Sequence, residues 1–246
     1  MSRSRKLALG TIAIIVALFF AGVWYLRSDA LRERVRAEVI AALEKVSGGK
    51  VEMGSFQWSL ATMRFEMRDL TIHGLEPPGE APFVHVDRVD ISAEVLSIFS
   101  RRIVLRHVAL QRPLVHLIVY PDDSTNTPPP LVAKGRAEAL TELSIGHLQT
   151  SDGQLLLNDR AVPLDVNASE VAARLVYQPK DRRYDVEFHS GSMQVDHAGW
   201  ASIKGQADAR LSMWSGKIEV KSFQLASVRS RLEISGVAAW PGGRPP

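Results

Sequence analysis

From Lys50 onward the chain alternates apolar and polar residues with a period of two, and this limits it to β-structure. The stretch "YDVEFHS" sets Tyr184, Val186 and Phe188 against Asp185, Glu187 and His189. "IKGQADARLSM" sets Ile203, Ala207, Ala209, Leu211 and Met213 against Lys204, Gln206, Asp208, Arg210 and Ser212. "VRSRLEIS" does the same with Val228, Leu232 and Ile234. Turn-forming groups recur at short intervals: Ser151-Asp152-Gly153, Pro179 to Arg183, Ser190-Gly191-Ser192 and Ser215-Gly216. They predict consecutive hairpins, hence a long, twisted, mostly antiparallel sheet of some fifteen strands. Parity slips twice. Met63, Phe65 and Met67 give way to Leu70 and Ile72, and Val84 and Val86 give way to Val89, Ile91, Ala93 and Val95. Each slip predicts a bulge or a new strand.

The alternation leaves one apolar face per strand and almost nothing to cover it. After residue 47 only "VAKGRAEALTEL" reads as a short helix. The apolar face must then meet a second sheet, close on itself, or line a groove that holds something apolar. The expected organisation is a first β segment over 50–120, a linker with that possible helix over 121–142, a second β segment over 143–236, and a disordered tail over 237–246.

Two helical features precede the strands. Leu7 to Leu26 is an uncharged run of roughly 20 residues, long enough as a helix to cross a bilayer's hydrocarbon core. Arg3, Arg5 and Lys6 precede it, and Trp24 and Tyr25 lie at its far end, where amphipathic rings favour the interface. The run is longer than a signal-peptide core, and no small-x-small cleavage site follows before Arg27. The expectation is an uncleaved single-pass anchor over 7–26, with 1–6 as a cytoplasmic tail and the bulk of the chain outside the cytoplasm. Leu31, Val35, Val39, Leu43 and Val46 then make an apolar stripe, predicting an amphipathic helix over 29–47 that Gly48 and Gly49 stop. Its stripe suits packing on the following domain, and its arginines suit a membrane surface.

Chemistry is sparse. The chain has no cysteine, which removes disulfides, thiolate metal sites and cysteine nucleophiles. Its net charge of +3 over 246 residues, without a basic stripe interleaved with aromatics, gives no footprint for nucleic acid. None of the seven histidines falls at metal-ligand spacing, and no nucleophile elbow, phosphate-binding glycine loop or H-E-x-x-H sequence occurs. Asn167-Ala168-Ser169 matches a glycosylation acceptor, a tripeptide that arises easily by chance. Asp122 and Asp123, in "PDDSTNTPPP", have the composition of a turn and linker. No catalytic residue, cofactor or metal is expected, and the chain does not read as an enzyme.

"VEMGSFQWSLATMRFEMRDLTIHG", following an apolar N-terminal run and an amphipathic helix, resembles the opening of the AsmA-like superfamily, especially its TamB-type translocation and assembly proteins. The likeness continues through "FVHVDRVDISAEVLSIFSRRIVLRHVALQRPLVHLIVYPDDSTN". There Val104, Leu105, Val108, Leu110, Pro113, Val115 and Leu117 fit the family's strand pair, and Asp122, Asp123 and Asn126 its turn. Asp-Asp stands where the family often has Asp-Gly. The resemblance covers roughly residues 5–130 and the later strands more loosely. It implies a repeating β-groove with an apolar concave side, anchored in the bacterial inner membrane and extending into the periplasm. It also implies phospholipid as cargo bound for the outer membrane, with outer-membrane protein assembly and secretion as the TamB variant. Long members end in a C-terminal β region not seen here, so a truncated form or a short member that needs partners is expected.

Together these readings give a non-enzymatic, membrane-anchored periplasmic protein. Acyl chains would lie on Val186, Phe188, Ala209, Leu211, Leu232 and Ile234. The rival from another class is a scaffold that docks outer-membrane assembly proteins by strand addition at a free sheet edge. An adhesive β-sandwich is the third reading.

Overall fold

A computed structural model describes residues 29–59, 62–93, 104–129, 144–199, 201–214 and 216–239. The expected membrane-spanning run 7–26 and the possible helix in the linker lie outside them. Among the described residues no helix is long and apolar enough to cross a membrane. The chain divides into two units, residues 1–42 and 43–246.

Helix α1 (Asp29–Ser47) has the expected bounds, and residues 29–42 of it lie in the first unit. Leu31, Val35, Val39 and Ala42 line a shallow apolar strip flanked by Arg34 and Glu38. The second unit begins with the last turn of α1. Gly48 adopts φ 76° and donates its N–H to the Glu44 carbonyl at 2.7 Å, the left-handed stop that glycine permits without a Cβ penalty. The Glu44 carboxylate accepts the Val51 N–H at 3.1 Å, which ties the helix end to the first strand.

Ten strands follow: β1 (Val51–Ser59), β2 (Arg64–Ile72), β3 (Val84–Ala93), β4 (Val104–Val119), β5 (Ser144–Asp159), β6 (Leu164–Gln178), β7 (Arg183–His197), β8 (Ile203–Trp214), β9 (Lys217–Ser227) and β10 (Arg231–Ala239). They form one sheet in sequence order, β1 to β10. Every pair is antiparallel except β4–β5, which is parallel and joined through residues 120–143, a crossover of the length such a pair needs. Among the described residues the sheet is not closed, and the main contacts of each strand are with its lateral neighbours. No second sheet among the described residues packs against it, so a sandwich is not what these strands form. The last strand also runs to Ala239, three residues into the expected tail.

Two expected turns are not turns. Ser151-Asp152-Gly153 lies inside β5 and Ser190-Gly191-Ser192 inside β7, so ten long strands replace the expected fifteen. Both are bulges, and they belong to a line. Each strand from β1 to β7 carries two adjacent small or polar residues at about the same level: Gly54-Ser55, Arg68-Asp69, Asp87-Arg88, Gln111-Arg112, Ser151-Asp152, Ser169-Glu170 and Gly191-Ser192. Four of these residues sit at positive φ: Asp69 (53°), Arg112 (47°), Asp152 (54°) and Glu170 (52°). Glycine makes room beside two of them. A Cβ on Gly54 would lie 3.0 Å from that of Asp69, and one on Gly191 3.1 Å from that of Glu170. Pro113, awkward in a central strand, follows directly after Arg112, whose positive φ interrupts the regular strand. The parity slips at Met67/Leu70 and Val86/Val89 fall on the same line, but there both partner strands carry the extra residue and the register does not shift.

At one end of the sheet Asn126, fully buried, fastens β4. Its carboxamide oxygen accepts the Ile118 N–H at 2.9 Å, and its amide nitrogen donates to the His116 carbonyl at 2.8 Å. Its own carbonyl accepts the Leu75 N–H at 2.7 Å. One side chain thus stands in for a missing length of strand.

Candidate functional site

The pairing register sorts the apolar residues into lanes that cross the sheet at right angles to the strands. One lane runs Trp58, Phe65, Ile91, Val108, Leu148, Leu175, Val186, Leu211, Val220 and ends at Gly236. The next runs Phe56, Met67, Val89, Leu110, Thr150, Ala173, Phe188, Ala209, Phe223 and Ile234. A third begins Met53, Leu70, Val86 and Pro113, and continues from Gly153 through Val171, Ser190, Ala207 and Leu225 to Leu232. Directly paired residues share a face, so these lanes form one surface. The bulge line flanks the third lane, on its near side in β1–β5 and its far side in β6 and β7.

All six residues singled out from the sequence fall on this face, in the first three lanes. Their exposure differs. Ala209 is buried, Val186, Phe188 and Leu211 are half-buried, and Leu232 and Ile234 are 49% and 48% exposed. Leu148, Leu175, Val220, Phe223 and Leu225 belong to the same surface and were not picked out, because bulges in their own or adjoining pairings disturb the simple alternation. Tyr177 and Tyr184 add an aromatic pair at its margin, with ring centroids 4.9 Å apart. Burial pushes the Tyr184 hydroxyl above its ordinary range, with the neighbouring Tyr177 adding to the effect.

Across β6–β9 the opposite face carries paired polar groups. Asp185 accepts the Ser212 hydroxyl at 2.6 Å and lies 3.1 Å from Arg183 Nε and 3.7 Å from Lys221 Nζ. The Ser212 hydroxyl foremost, then Arg183, holds this carboxyl below the usual carboxylate range. His189 Nδ1 is 2.9 Å from Asp208, and Arg88 joins Glu66 to Asp90. Two open recesses, of about 850 and 440 Å³, have mixed linings: Arg174, Glu187 and Arg210 with Phe188 and Ala209 in the larger, and Glu66, Arg88 and His107 with Trp58, Phe65 and Ile91 in the smaller.

Asp122 and Asp123 shape backbone. Asp122 accepts both the N–H and the hydroxyl of Ser124, at 3.1 and 2.6 Å, and those bonds lower its pKa. Asp123 takes φ 62°, and the Tyr120 N–H donates to the Ser124 carbonyl at 2.8 Å. His116 is buried with Nε2 2.6 Å from the Asn158 carboxamide oxygen and Nδ1 3.0 Å from the Ala81 carbonyl oxygen, which makes it a structural group. Among the described residues no group of three or more His, Asp or Glu side chains could hold a metal ion. The chain matches no family model and no curated protein.

Proposed function

We propose that the chain is a membrane-anchored lipid-shielding protein of the AsmA and TamB type, with residues 7–26 in the bacterial inner membrane and the sheet in the periplasm. The observation that carries this reading is the set of mainly apolar lanes that the register lines up across the ten strands, on a sheet with no second sheet opposite it among the described residues. Such a surface needs an apolar partner. Ten strands at about 4.8 Å extend a lane about 43 Å, against about 15 Å for the tails of one bilayer leaflet. Each acyl methylene laid there gains about 0.8 kcal/mol by leaving water, while the head group stays solvated. Movement towards the outer membrane is then passive, along lanes that discriminate little between one position and the next. No cofactor enters this mechanism.

Photo-crosslinking in cells tests it. A crosslinking side chain at Phe188 or Leu211 is expected to capture phospholipid, and one at Glu187 or Arg210, on the polar face, is not. Equal capture from both faces, or none from the lanes, overturns the reading. Lipid mass spectrometry of the detergent-extracted protein gives the second readout. Outer-membrane assembly proteins in place of stoichiometric phospholipid would favour the scaffold.

A further inference from the structure

We propose that β10 is a docking edge for the β10 of a second copy, paired antiparallel about Ser235. The inference rests on the sheet and its register, and holds whether or not the lanes carry lipid. All nine residues of β10 are exposed, Leu232, Ile234 and Val237 among them at 49%, 48% and 62%. At the opposite edge of the sheet, Val51, Met53 and Phe56 of β1 are only 4–8% exposed. Free sheet edges are normally blunted by proline, by inward charge or by brevity. β10 has no proline, and its charges, Arg231 and Glu233, pair with Ala226 and Gln224 on the polar face. Among the described residues its backbone bonds to β9 on one side only.

The strand is also complementary to itself. A two-fold axis perpendicular to the sheet pairs two β10 strands antiparallel and keeps apolar face with apolar face. With Ser235 on the axis, Leu232 meets Ala238 of the second copy, Ile234 meets Gly236, Glu233 meets Val237 and Arg231 meets Ala239. No like charges oppose, and all nine residues take part. Gly236 faces open space, with nothing within 4 Å of where its Cβ would stand, so Ile234 of the other copy has room. The lane ending at Ile234 then passes through Gly236 of the second copy into its Val220, Leu211 and Val186. Twenty strands give a continuous apolar surface of about 90 Å.

The absence of cysteine makes the test clean. Directly opposed residues of antiparallel strands lie about 4.5–5.5 Å apart at Cα, inside disulfide range. In the full chain, in detergent and in native membranes, Ser235→Cys is expected to form a disulfide-linked dimer under mild oxidation. Leu232→Cys alone is not, whereas Leu232→Cys with Ala238→Cys is. Lys180→Cys, on the distant β6–β7 hairpin, sets the background. Val237→Glu, opposite Glu233 twice over, is expected to weaken the dimer about 2- to 30-fold, and Val237→Lys to leave it intact or tighter. A monomeric mass by light scattering at micromolar concentration overturns the proposal. So does crosslinking of S235C no faster than K180C, equal effects of the two Val237 variants, or β10 found paired only with a strand of another protein. Phospholipid measured on the same samples separates the two claims. A lipid-free dimer sinks the lipid reading alone, and a lipid-loaded monomer sinks this one alone.

Discussion

Strands β1–β3 and β8–β10 carry the same lanes with opposite results. In the first group Met53, Phe56, Met67, Leu70, Val86 and Val89 are each no more than 8% exposed. In the second the lanes narrow to the small, buried Ala207 and Ala209 on β8 and then surface at Leu232 and Ile234. Register and parity decide which face a residue joins, and side-chain volume decides whether that face can seal itself. Large flexible Met and Phe side chains fill the first group, and Phe56 sits 6.4 Å, centroid to centroid, from both Trp58 and Phe65. One end is a self-packed platform, and the other leaves its surface for something else.

The largest expected effect tests that difference directly. Leu70→Ala should lower stability by about 2–5 kcal/mol, the cost of removing a buried leucine. Leu232→Ala, in the same lane, should stay within about 0.5 kcal/mol. Denaturant midpoints of the two variants check it, and comparable losses would abolish the distinction between platform and open end.

Asn126 and Asp122 make a second contrast within one turn. Asn126→Ala strands the Ile118 N–H and the His116 carbonyl in a buried position, at about 1–3 kcal/mol for each orphaned group. Asp122→Asn touches an exposed turn and should change stability by no more than about 0.5 kcal/mol. An equal loss for both would mean that the aspartate does more than shape backbone.

The bulge line allows a sharper test, because strain and space act there as a pair. Gly191→Ala brings a Cβ against Glu170 and should cost about 1–3 kcal/mol. Glu170→Gly should be stabilising, since the αL conformation costs a side-chain-bearing residue about 1–2 kcal/mol. In the Glu170→Gly background the alanine should be nearly harmless. A double-mutant cycle with no coupling would mean that the two positions do not hold each other.

Much of this was legible in the sequence, and its failures have one physical cause. Period-two alternation found the face, and Val186, Phe188, Ala209 and Leu211 were assigned to it correctly. Turn chemistry found the β6–β7 hairpin at Pro179 to Arg183. The same chemistry misplaced Ser151-Asp152-Gly153 and Ser190-Gly191-Ser192, because a glycine beside polar residues suits a bulge as well as it suits a reversal. Only the neighbouring strands tell the two apart. Val228 shows the converse error: alternation put it in a strand, yet it is 98% exposed in the β9–β10 turn. The role of Asn126 depends on partners 8 and 10 residues away across a fold, which no local pattern records.

The smallest effect is a pH dependence, and it distinguishes the polar face from the apolar one. Asp185 has a folded pKa below its unfolded value of about 3.9, chiefly through the Ser212 hydroxyl and then Arg183. A carboxyl lowered on folding contributes stability that is fully present above the unfolded pKa and is lost as pH falls through the folded one. Asp185→Asn should therefore destabilise the chain at pH 6–7, and its deficit should shrink steadily as pH drops below about 4. Ser212→Ala should reproduce part of that change, because it moves the Asp185 pKa back towards the ordinary range without removing the charge. Denaturant midpoints of the three proteins between pH 7 and pH 3 check this. Lane variants such as Leu211→Ala remove no titrating group, so their deficit should stay constant across the same range. A deficit in L211A that varied with pH as D185N does would mean that the two faces are not separate in their energetics.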